Sequence, residues 1–402
     1  MRHFTKNFTQ QEPLDEAAIA AAVEVMQSGR LHRYNTVPGD PGDVALLERE
    51  FAEYMDLPYC LACTSGGYAL HIALRSVGLL PGEPVLCNAY TLSPVPGAIH
   101  NAGGRVVLVD IDDDSRIDLN DLDAAASESG ARILMLSHMR GHIADMDAIL
   151  KICDQHDILL IEDCAHTMGA RWKGRLSGSF GQVACFSTQT YKHINSGEGG
   201  FLVTRDELTM RRAIVHSGSY MLYDKHLAAP GPDTYGAERL STPNYSGRMD
   251  NLRAAILRPQ LRSLDTNVAR WLERYQAVAN GLTKTPDIKT IERPAHEQFV
   301  GSSIQFRVPE FSNQQIVGLV QACAERGVPL KWFGAPEPSA YTSRYDSWHY
   351  LGEPRQLPNT ARVLSTLCDM RIPLTFNVED CSLIAELIVE AVQSVKHTAS
   401  IG

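Results

Sequence analysis

Two polar segments of the 402-residue chain follow apolar runs and carry side chains that could do chemistry. The run Ile158–Ile161 ends in Glu162 and Asp163, and functional groups collect at the carboxyl ends of strands in open α/β sheets. A second run, Val183–Thr188, is followed shortly by Lys192. Taken singly, the acids read as a helix cap or a salt bridge and the lysine as a solvated surface residue. Their common placement after strands indicates a site.

A third segment, Cys63–Leu70, is a candidate anion site. Small residues with free backbone N–H groups begin a helix there, and a helix start attracts negative charge. The segment has neither the Gly-Lys-Ser/Thr of a Walker loop nor the glycine pattern of a dinucleotide site. Ordinary capping by Thr64 or Ser65 explains the same residues equally well when the segment is taken alone.

Together the three segments are what pyridoxal 5′-phosphate requires. A lysine holds its aldehyde as a Schiff base, and a carboxylate keeps its pyridine nitrogen protonated so that the ring withdraws electrons. A helix start seats its phosphate. The sequence therefore predicts this cofactor, with Lys192 and Asp163 as the catalytic residues.

The elements that must position these residues alternate between strands and helices over the first two thirds of the chain. This alternation predicts an α/β fold, with a large domain of a mainly parallel sheet flanked by helices. After residue 250 longer helices take over, which predicts a large domain 1–250 and a smaller α+β domain 251–402. The predicted strands of the large domain are Pro84–Tyr90, Arg105–Ile111, Arg132–Met139, Ile158–Cys164, Val183–Thr188 and Gly200–Thr204.

Composition excludes several other classes of protein. The formal net charge of −10 argues against binding nucleic acid, and the lack of a long apolar run argues against a membrane span. Nine scattered cysteines and a polar N-terminus without a signal peptide predict a cytoplasmic protein with reduced thiols. Cys60 and Cys63 lack a second cysteine pair that could complete a zinc site. No pair among the 14 histidines at helical spacing has a third metal ligand nearby in the sequence, so no metal site is expected.

Three motifs resemble those of the DegT-type sugar aminotransferases. Glu162–Ala170 is similar to the family's EDxAxxxGA motif, and Phe186–Lys192 followed by Gly197–Gly200 is similar to its FS…K…GEGG segment. Arg248–Ile256 resembles its RMxxxxAAI helix. The resemblance implies the fold of type I aminotransferases, a homodimer with shared active sites, and an amino acid donor, L-glutamate by family likeness.

The resemblance also implies roles for individual residues. Lys192 would bind the cofactor and then move a proton on the substrate, which is general acid–base work. Asp163 would pair with the pyridinium and His166 would lie near the ring hydroxyl. Backbone N–H groups of Gly66 and Gly67 would hold the phosphate. The remaining predicted phosphate contacts are Ser187 and, reaching the partner subunit, Asn244 and Ser246.

Two positions depart from the family pattern near the predicted cofactor. The family often has Thr where Gly67 stands, so only a backbone contact remains there. An aromatic ring usually stacks on the cofactor where this chain has Leu92, and the nearby Tyr90 is the candidate replacement. Tyr90 and Leu92 are therefore both predicted to lie at the cofactor.

Two basic segments suggest an anionic acceptor. One is Ser28–Asn35, which contains Arg30, Arg33 and Tyr34, and the other is His138–His142, which contains His138 and Arg140. Arg248 is a further candidate substrate residue. Surface charge explains any one of them, but as a set they favour a sugar acid or a nucleotide-linked sugar, because arginine suits carboxylate and phosphate.

Four alternatives stay open. Some relatives are dehydratases with histidine in place of the lysine, which Lys192 argues against although His193 is adjacent. A cyclitol aminotransferase would have nearly the same motifs. A non-catalytic regulator that binds cofactor or sugar would not need Lys192 and Asp163. A nicotinamide oxidoreductase would fit the alternation but lacks the glycine fingerprint.

Overall fold

The computed structural model describes residues 2–353 and 355–401 of the chain. The strands are β1 (Tyr59–Cys63), β2 (Pro84–Asn88), β3 (Arg105–Val109), β4 (Ile133–Ser137), β5 (Leu159–Asp163), β6 (Arg171–Trp172), β7 (Arg175–Leu176), β8 (Val183–Ser187), β9 (Gly200–Thr204), β10 (Lys289–Thr290), β11 (Glu297–Gln298), β12 (Ser303–Arg307), β13 (Lys331–Trp332) and β14 (Leu367–Arg371). The α-helices are α1 (Glu16–Ser28), α2 (Asp43–Met55), α3 (Gly66–Ser76), α4 (Pro94–Asn101), α5 (Leu119–Ser129), α6 (Met146–His156), α7 (Glu207–His216), α8 (Glu238–Ser241), α9 (Asn251–Arg262), α10 (Leu264–Leu282), α11 (Asn313–Glu325), α12 (Pro358–Ser365) and α13 (Val378–Ile401).

A seven-stranded sheet in the order β1-β9-β8-β5-β4-β2-β3 forms the centre of the larger part. Strands β8, β5, β4, β2 and β3 are parallel, and β9 runs antiparallel between β1 and β8. All six predicted strands are present within one to two residues at their ends, which confirms the mainly parallel sheet. Strand β1 was not predicted, because its Tyr-Cys-Leu-Ala-Cys sequence has no β-branched residue and thus little strand signal.

Helices cover both faces of this sheet, as its buried strands require. Every residue of β4 and β8 is buried, which is the pattern of parallel strands with helices on both sides. On one face α3, α4 and α7 pack against the sheet. On the other face α5 and α6 cover β4 and β5, and α2 and α9 cover β1, β8 and β9.

The smaller part is built on a four-stranded antiparallel sheet in the order β10-β12-β14-β13. Helices α10, α11 and α13 pack on it, and none of the helices in the described ranges is long and apolar enough to cross a membrane. Phe4 and Phe8 join this core, with ring centres 4.9 and 4.8 Å from that of Phe376.

The predicted division at residue 250 stays a prediction, but the packing bears on where it should fall. Helix α9, just past that point, buries Ala254 and Leu257 in the same core as α2 and β1. The N-terminal Phe4 lies in the core of the smaller part. We propose that the boundary follows α9 and that the first residues of the chain belong with the smaller domain.

All nine cysteines are free and buried. Cys60 and Cys63 are two buried thiols, as expected, and burial raises the pKa of each. The structure therefore gives the cysteines packing roles.

Candidate active site

A cavity of about 450 Å³ opens where the central strands of the large sheet end. Ser137, Asp163 and Ser187, the last residues of β4, β5 and β8, line it, and so does the start of α3. Lys192 reaches the same cavity. The three segments that the sequence singled out therefore meet in one place.

Lys192 is carried by a turn that closes on itself between β8 and β9. The backbone N–H of Thr188 donates to the carbonyl of Gly199 (2.9 Å), and that of Lys192 donates to Gln189 (2.8 Å). Gly199 has a φ of 153°, and a Cβ there would overlap the Thr188 hydroxyl. The glycine-rich sequence after Lys192 is thus needed to let the turn pack tightly.

The Lys192 amine is in an environment that disfavours its charge. Burial, together with the guanidinium groups of Arg140 and Arg371, lowers its pKa to about 7, although Asp163 acts in the opposite direction. Its Nζ atom lies 2.9 Å from Nε2 of His166. Near neutral pH a large fraction of the amine is therefore unprotonated and nucleophilic.

His166 is held between Arg140 and Lys192. The backbone N–H of Arg140 donates to its Nδ1 atom (3.3 Å). Burial lowers the pKa of the imidazole well below its ordinary value, and the guanidinium of Arg140 acts in the same direction, so it is neutral. The sequence placed His166 near a cofactor ring hydroxyl, and the structure brings it into the cavity next to the lysine.

Asp163 is oriented by a chain of hydroxyl groups that the sequence analysis missed. Ser137 donates to its Oδ2 atom (2.8 Å), and Thr91 donates to the Ser137 oxygen (2.8 Å). The backbone N–H of Ala165 donates to Oδ1 (3.1 Å). The only sequence signal for Ser137 was its position at the end of a predicted strand.

The start of α3 forms the expected seat for an anion. Ser65 caps the helix by accepting a hydrogen bond from the N–H of Tyr68 (3.1 Å). Within the described ranges, the N–H groups of Gly66 and Gly67 have no protein acceptor and lie at the cavity wall beside Ser187. A Cβ on Gly66 would come within 2.8 Å of the Ser187 Cβ. The capping interpretation is confirmed for Ser65, and anion binding by the free donors stays a prediction.

The structure separates Tyr90 from Leu92. Leu92 lines the cavity. Tyr90 is buried, and its ring packs edge-on against Phe333 with 5.1 Å between the ring centres. Because Tyr90 does not line the cavity, the structure gives it a packing role and does not support the proposed stacking role.

The Ser28–Asn35 segment does not line this cavity, and its predicted contact with substrate stays a prediction. Arg33 is buried in a two-pronged ion pair with Glu48 (2.8 and 2.9 Å). Arg30 pairs with Asp40 (2.7 Å), and Tyr34 hydrogen-bonds through its hydroxyl to His226 (2.9 Å). The basic character of the segment suggests anion binding, but all three side chains have partners within the chain.

In the second basic segment, His138 has a structural contact and Arg140 lines the cavity. His138 is buried with Nε2 3.2 Å from Glu162, whose carboxylate also accepts backbone N–H groups of residues 178, 180 and 181. His138, Glu162 and Cys164 are close enough to share a metal ion, but these hydrogen bonds already occupy the carboxylate. Arg140 lines the cavity and pairs with Asp369 (2.8 Å).

The loop before α9 lies on the surface next to the anion seat. Asn244 and Ser246 are exposed. Arg248 donates to Ser246 (3.0 Å) and to the Gly218 carbonyl (2.7 Å), and it does not line the cavity. Exposure beside the cavity is compatible with contacts to a second subunit, so the roles of Asn244 and Ser246 stay predictions.

The smaller domain supplies cavity residues that no sequence pattern identified. Tyr341 and Arg371 line the cavity, together with Gln189 and Tyr191 from the turn that carries Lys192. Tyr341 comes from the long Pro-rich loop predicted at Gly334–Pro358, of which Pro354 lies outside the described residues. Nothing in the sequence around Tyr341 or Arg371 shows that they meet Lys192.

These residues fit pyridoxal 5′-phosphate. The cavity holds a lysine with a lowered pKa, a fixed carboxylate and free N–H donors at a helix start, which match the aldehyde, ring nitrogen and phosphate of the cofactor. Because Gly66 has no Cβ, the helix start lies close to Ser187, and both would be available to hold the phosphate. The fold and the site define a pyridoxal-phosphate-dependent transferase of fold type I.

The chain belongs to the DegT/DnrJ/EryC1/StrS aminotransferase family, which it matches over residues 13–389. It is 29% identical over 367 residues to 3-amino-5-hydroxybenzoate synthase of Amycolatopsis mediterranei (strain S699), covering 87% of this chain and 88% of the relative. It is 32% identical over 250 residues to dTDP-3-amino-3,4,6-trideoxy-alpha-D-glucose transaminase of Micromonospora megalomicea subsp. nigra, covering 61% and 63%.

A solved structure confirms the fold. The crystal structure of 3-amino-5-hydroxybenzoic acid synthase superposes with a TM-score of 0.82 at 26% identity, covering 96% of this chain and 99% of the other. The chain is therefore a sugar aminotransferase of this family that uses pyridoxal phosphate, with an amino donor and a sugar acceptor.

Proposed function

We propose that this enzyme transfers the amino group of L-glutamate to a keto or aldehyde carbon of a sugar-like acceptor, and that the acceptor is an anion such as a sugar acid or a nucleotide-linked sugar. The observation that carries the proposal is the meeting of Lys192, Asp163 and the free start of α3 in one cavity. A cyclitol acceptor is the second candidate, since it would use the same catalytic residues.

Bound pyridoxal phosphate supplies an aldehyde that accepts the amine and a ring that stabilises negative charge on the reacting carbon. Asp163, fixed by Ser137 and Ala165, is placed to hold a proton on the ring nitrogen. Lys192, whose pKa of about 7 leaves a large fraction of the amine unprotonated at neutral pH, is suited to take a proton from Cα of the substrate and to deliver it at C4′ of the cofactor. His166 contributes a neutral partner that fixes the lysine nitrogen.

The proposal includes a homodimer in the cytoplasm. The exposed Asn244–Ser246 loop lies next to the anion seat, because the Thr64 N–H donates to the Gly247 carbonyl (3.0 Å). Large exposed apolar side chains lie on the same connection between α7 and α9, including Tyr220, Met221 and Tyr245. These features support a subunit interface that reaches the cofactor phosphate.

The test is an absorption spectrum of the protein loaded with pyridoxal phosphate, before and after L-glutamate, with Lys192→Ala beside it. We expect a visible band that glutamate bleaches and that Lys192→Ala lacks. A panel of keto-sugars, sugar acids and cyclitol ketones should then restore the band, and the acceptor that restores it fastest identifies the substrate class. A band that no amino acid bleaches would argue for a dehydratase or a regulator. Failure of the band itself, in wild type and variant alike, would remove the assignment of Lys192.

A further inference from the structure

The guanidinium group of Arg371 lies in the cavity and has no carboxylate partner in the described ranges. It is the last residue of β14 and lines the same cavity as Lys192. Its Cζ atom lies 3.7 Å from the ring centre of Tyr191 and 5.2 Å from that of Tyr341. No side chain in the described ranges forms an ion pair or hydrogen bond with it.

Arg140 and Asp163, two other charged residues that line the cavity, already have hydrogen-bond partners within the chain. The Arg140 guanidinium pairs with Asp369 (2.8 Å), and Asp369 also accepts hydrogen bonds from Tyr341 (2.7 Å) and Gln305 (2.7 Å). Asp163 is satisfied by Ser137 and Ala165, as described above. Glu198, the remaining acid that lines the cavity, is exposed at its edge. Of the two arginines that line the cavity, Arg371 is therefore the one that has no ion pair in the described ranges.

Stacking makes this charge suited to a planar anion. A guanidinium over an aromatic face keeps its in-plane N–H donors available, and a fork of two such donors matches a carboxylate. A sequence with Lys at this position would give neither the stack nor the fork.

We propose that Arg371, held on Tyr191, binds a carboxylate group of the substrate. The proposal rests on the proposed aminotransferase function and deepens it, because the donor amino acid carries such a group and an acid-bearing acceptor would carry one too. A neutral acceptor would leave Arg371 unused in one half of the reaction. Arg371 thus determines which substrates the cavity accepts.

The first experiment measures binding without reaction. Glutarate, which is glutamate without its amine, is titrated into the cofactor-loaded enzyme by calorimetry. We expect Arg371→Gln to bind glutarate about 10- to 100-fold more weakly, the range for losing hydrogen bonds to a charged group, and Arg371→Lys to fall between. Arg49→Gln, on the exposed face of α2, is the matched control and should bind like wild type. Wild type that does not bind glutarate, or Arg371→Gln that binds it equally well, overturns the proposal.

The second experiment distinguishes the donor carboxylate from that of the acceptor. The half reaction with L-glutamate is followed in single turnovers, and the return half reaction is followed with ring ketones that carry or lack a carboxylate. A loss in Arg371→Gln confined to glutamate assigns the site to the donor, and a loss that extends to acid-bearing ketones assigns it to both. Equal rates of Arg371→Gln and wild type in both half reactions overturn the proposal.

The two proposals fail separately in these experiments. If wild type shows no amino transfer but binds glutarate through Arg371, the proposed function is wrong and the carboxylate site stands. If amino transfer is intact and Arg371→Gln changes neither binding nor rates, the function stands and the site is wrong. Tyr191→Leu removes the stack but keeps the charge, so it tests the same site should Arg371→Gln fail to fold.

Discussion

The Nε2 atom of His166 lies 2.9 Å from the Nζ atom of Lys192. Because the Arg140 N–H donates to Nδ1, the network assigns the proton of the neutral imidazole to Nε2. That N–H can donate to the lysine only when the amine has a free lone pair. The hydrogen-bond pattern and the lowered pKa of Lys192 therefore agree on an unprotonated amine before any cofactor binds.

The first prediction concerns the pH at which Lys192 becomes reactive. The rate at which cofactor-free protein takes up pyridoxal phosphate should rise with pH and level off above about 7, because only the neutral amine attacks an aldehyde. Stopped-flow absorbance measures this rate. Arg371→Gln should move the midpoint upward, since it removes a positive charge that lowers the pKa of Lys192. A midpoint near the ordinary lysine value of about 10.4 would contradict the environment described here.

The second prediction concerns the hydroxyl chain behind Asp163. Ser137→Ala leaves Asp163 with one donor fewer and leaves Thr91 without its acceptor. We expect kcat/KM to fall about 10- to 100-fold, the equivalent of a hydrogen bond to a charged group. Ser76→Ala is the control, since its buried hydroxyl has no partner within the described ranges. Equal activity of the two variants would show that Ser137 does not support Asp163.

Sequence patterns located the parts of the site that follow strands. Asp163 and Lys192 were identified because each comes after an apolar strand and within a family motif, and local order along the chain determines both facts. The same reasoning located six strands of the large sheet. A strand that is buried on both faces has a continuous run of apolar residues. Such strands can therefore be recognised from the sequence before the fold is known.

Pairings between distant segments could not be read in this way. Arg33 and Glu48 belong to different elements, and nothing in either segment shows that each neutralises the other. Arg371 and Tyr341 come from the smaller domain, far along the chain from Lys192, and only packing of the two domains brings them to the cavity. Composition alone therefore could not show that Arg30 and Arg33 form ion pairs within the chain.

The third prediction uses two adjacent glycines as a matched pair. A Cβ on Gly66 would lie 2.8 Å from that of Ser187, whereas the nearest atom to a Cβ on Gly67 is Pro94 Cβ at 3.9 Å. Gly66→Ala should therefore push α3 away from β8 and speed the loss of cofactor on dialysis. Gly67→Ala should retain cofactor like wild type. The measurement is the residual visible absorbance over time, and equal retention by both variants would argue against a phosphate seat at Gly66.

The fourth prediction separates a structural arginine from a substrate-binding one. Arg33→Gln leaves Glu48 buried without its main partner and should lower the free energy of unfolding by about 3–5 kcal/mol in urea, with KM unchanged. Arg30→Gln, which removes a partly exposed ion pair with Asp40, should lower the free energy of unfolding by less than about 1 kcal/mol.

The same ion pair predicts how stability depends on acid. Burial raises the pKa of Glu48, but Arg33 and His226 outweigh this effect and lower the pKa from 4.5 to about 2. Between these pH values the unfolded chain binds more protons, so the stability from Glu48 is present above about 4.5 and lost as the pH falls toward 2. Arg33→Gln should flatten that acid dependence, and a raised KM with unchanged stability would instead assign Arg33 to the substrate.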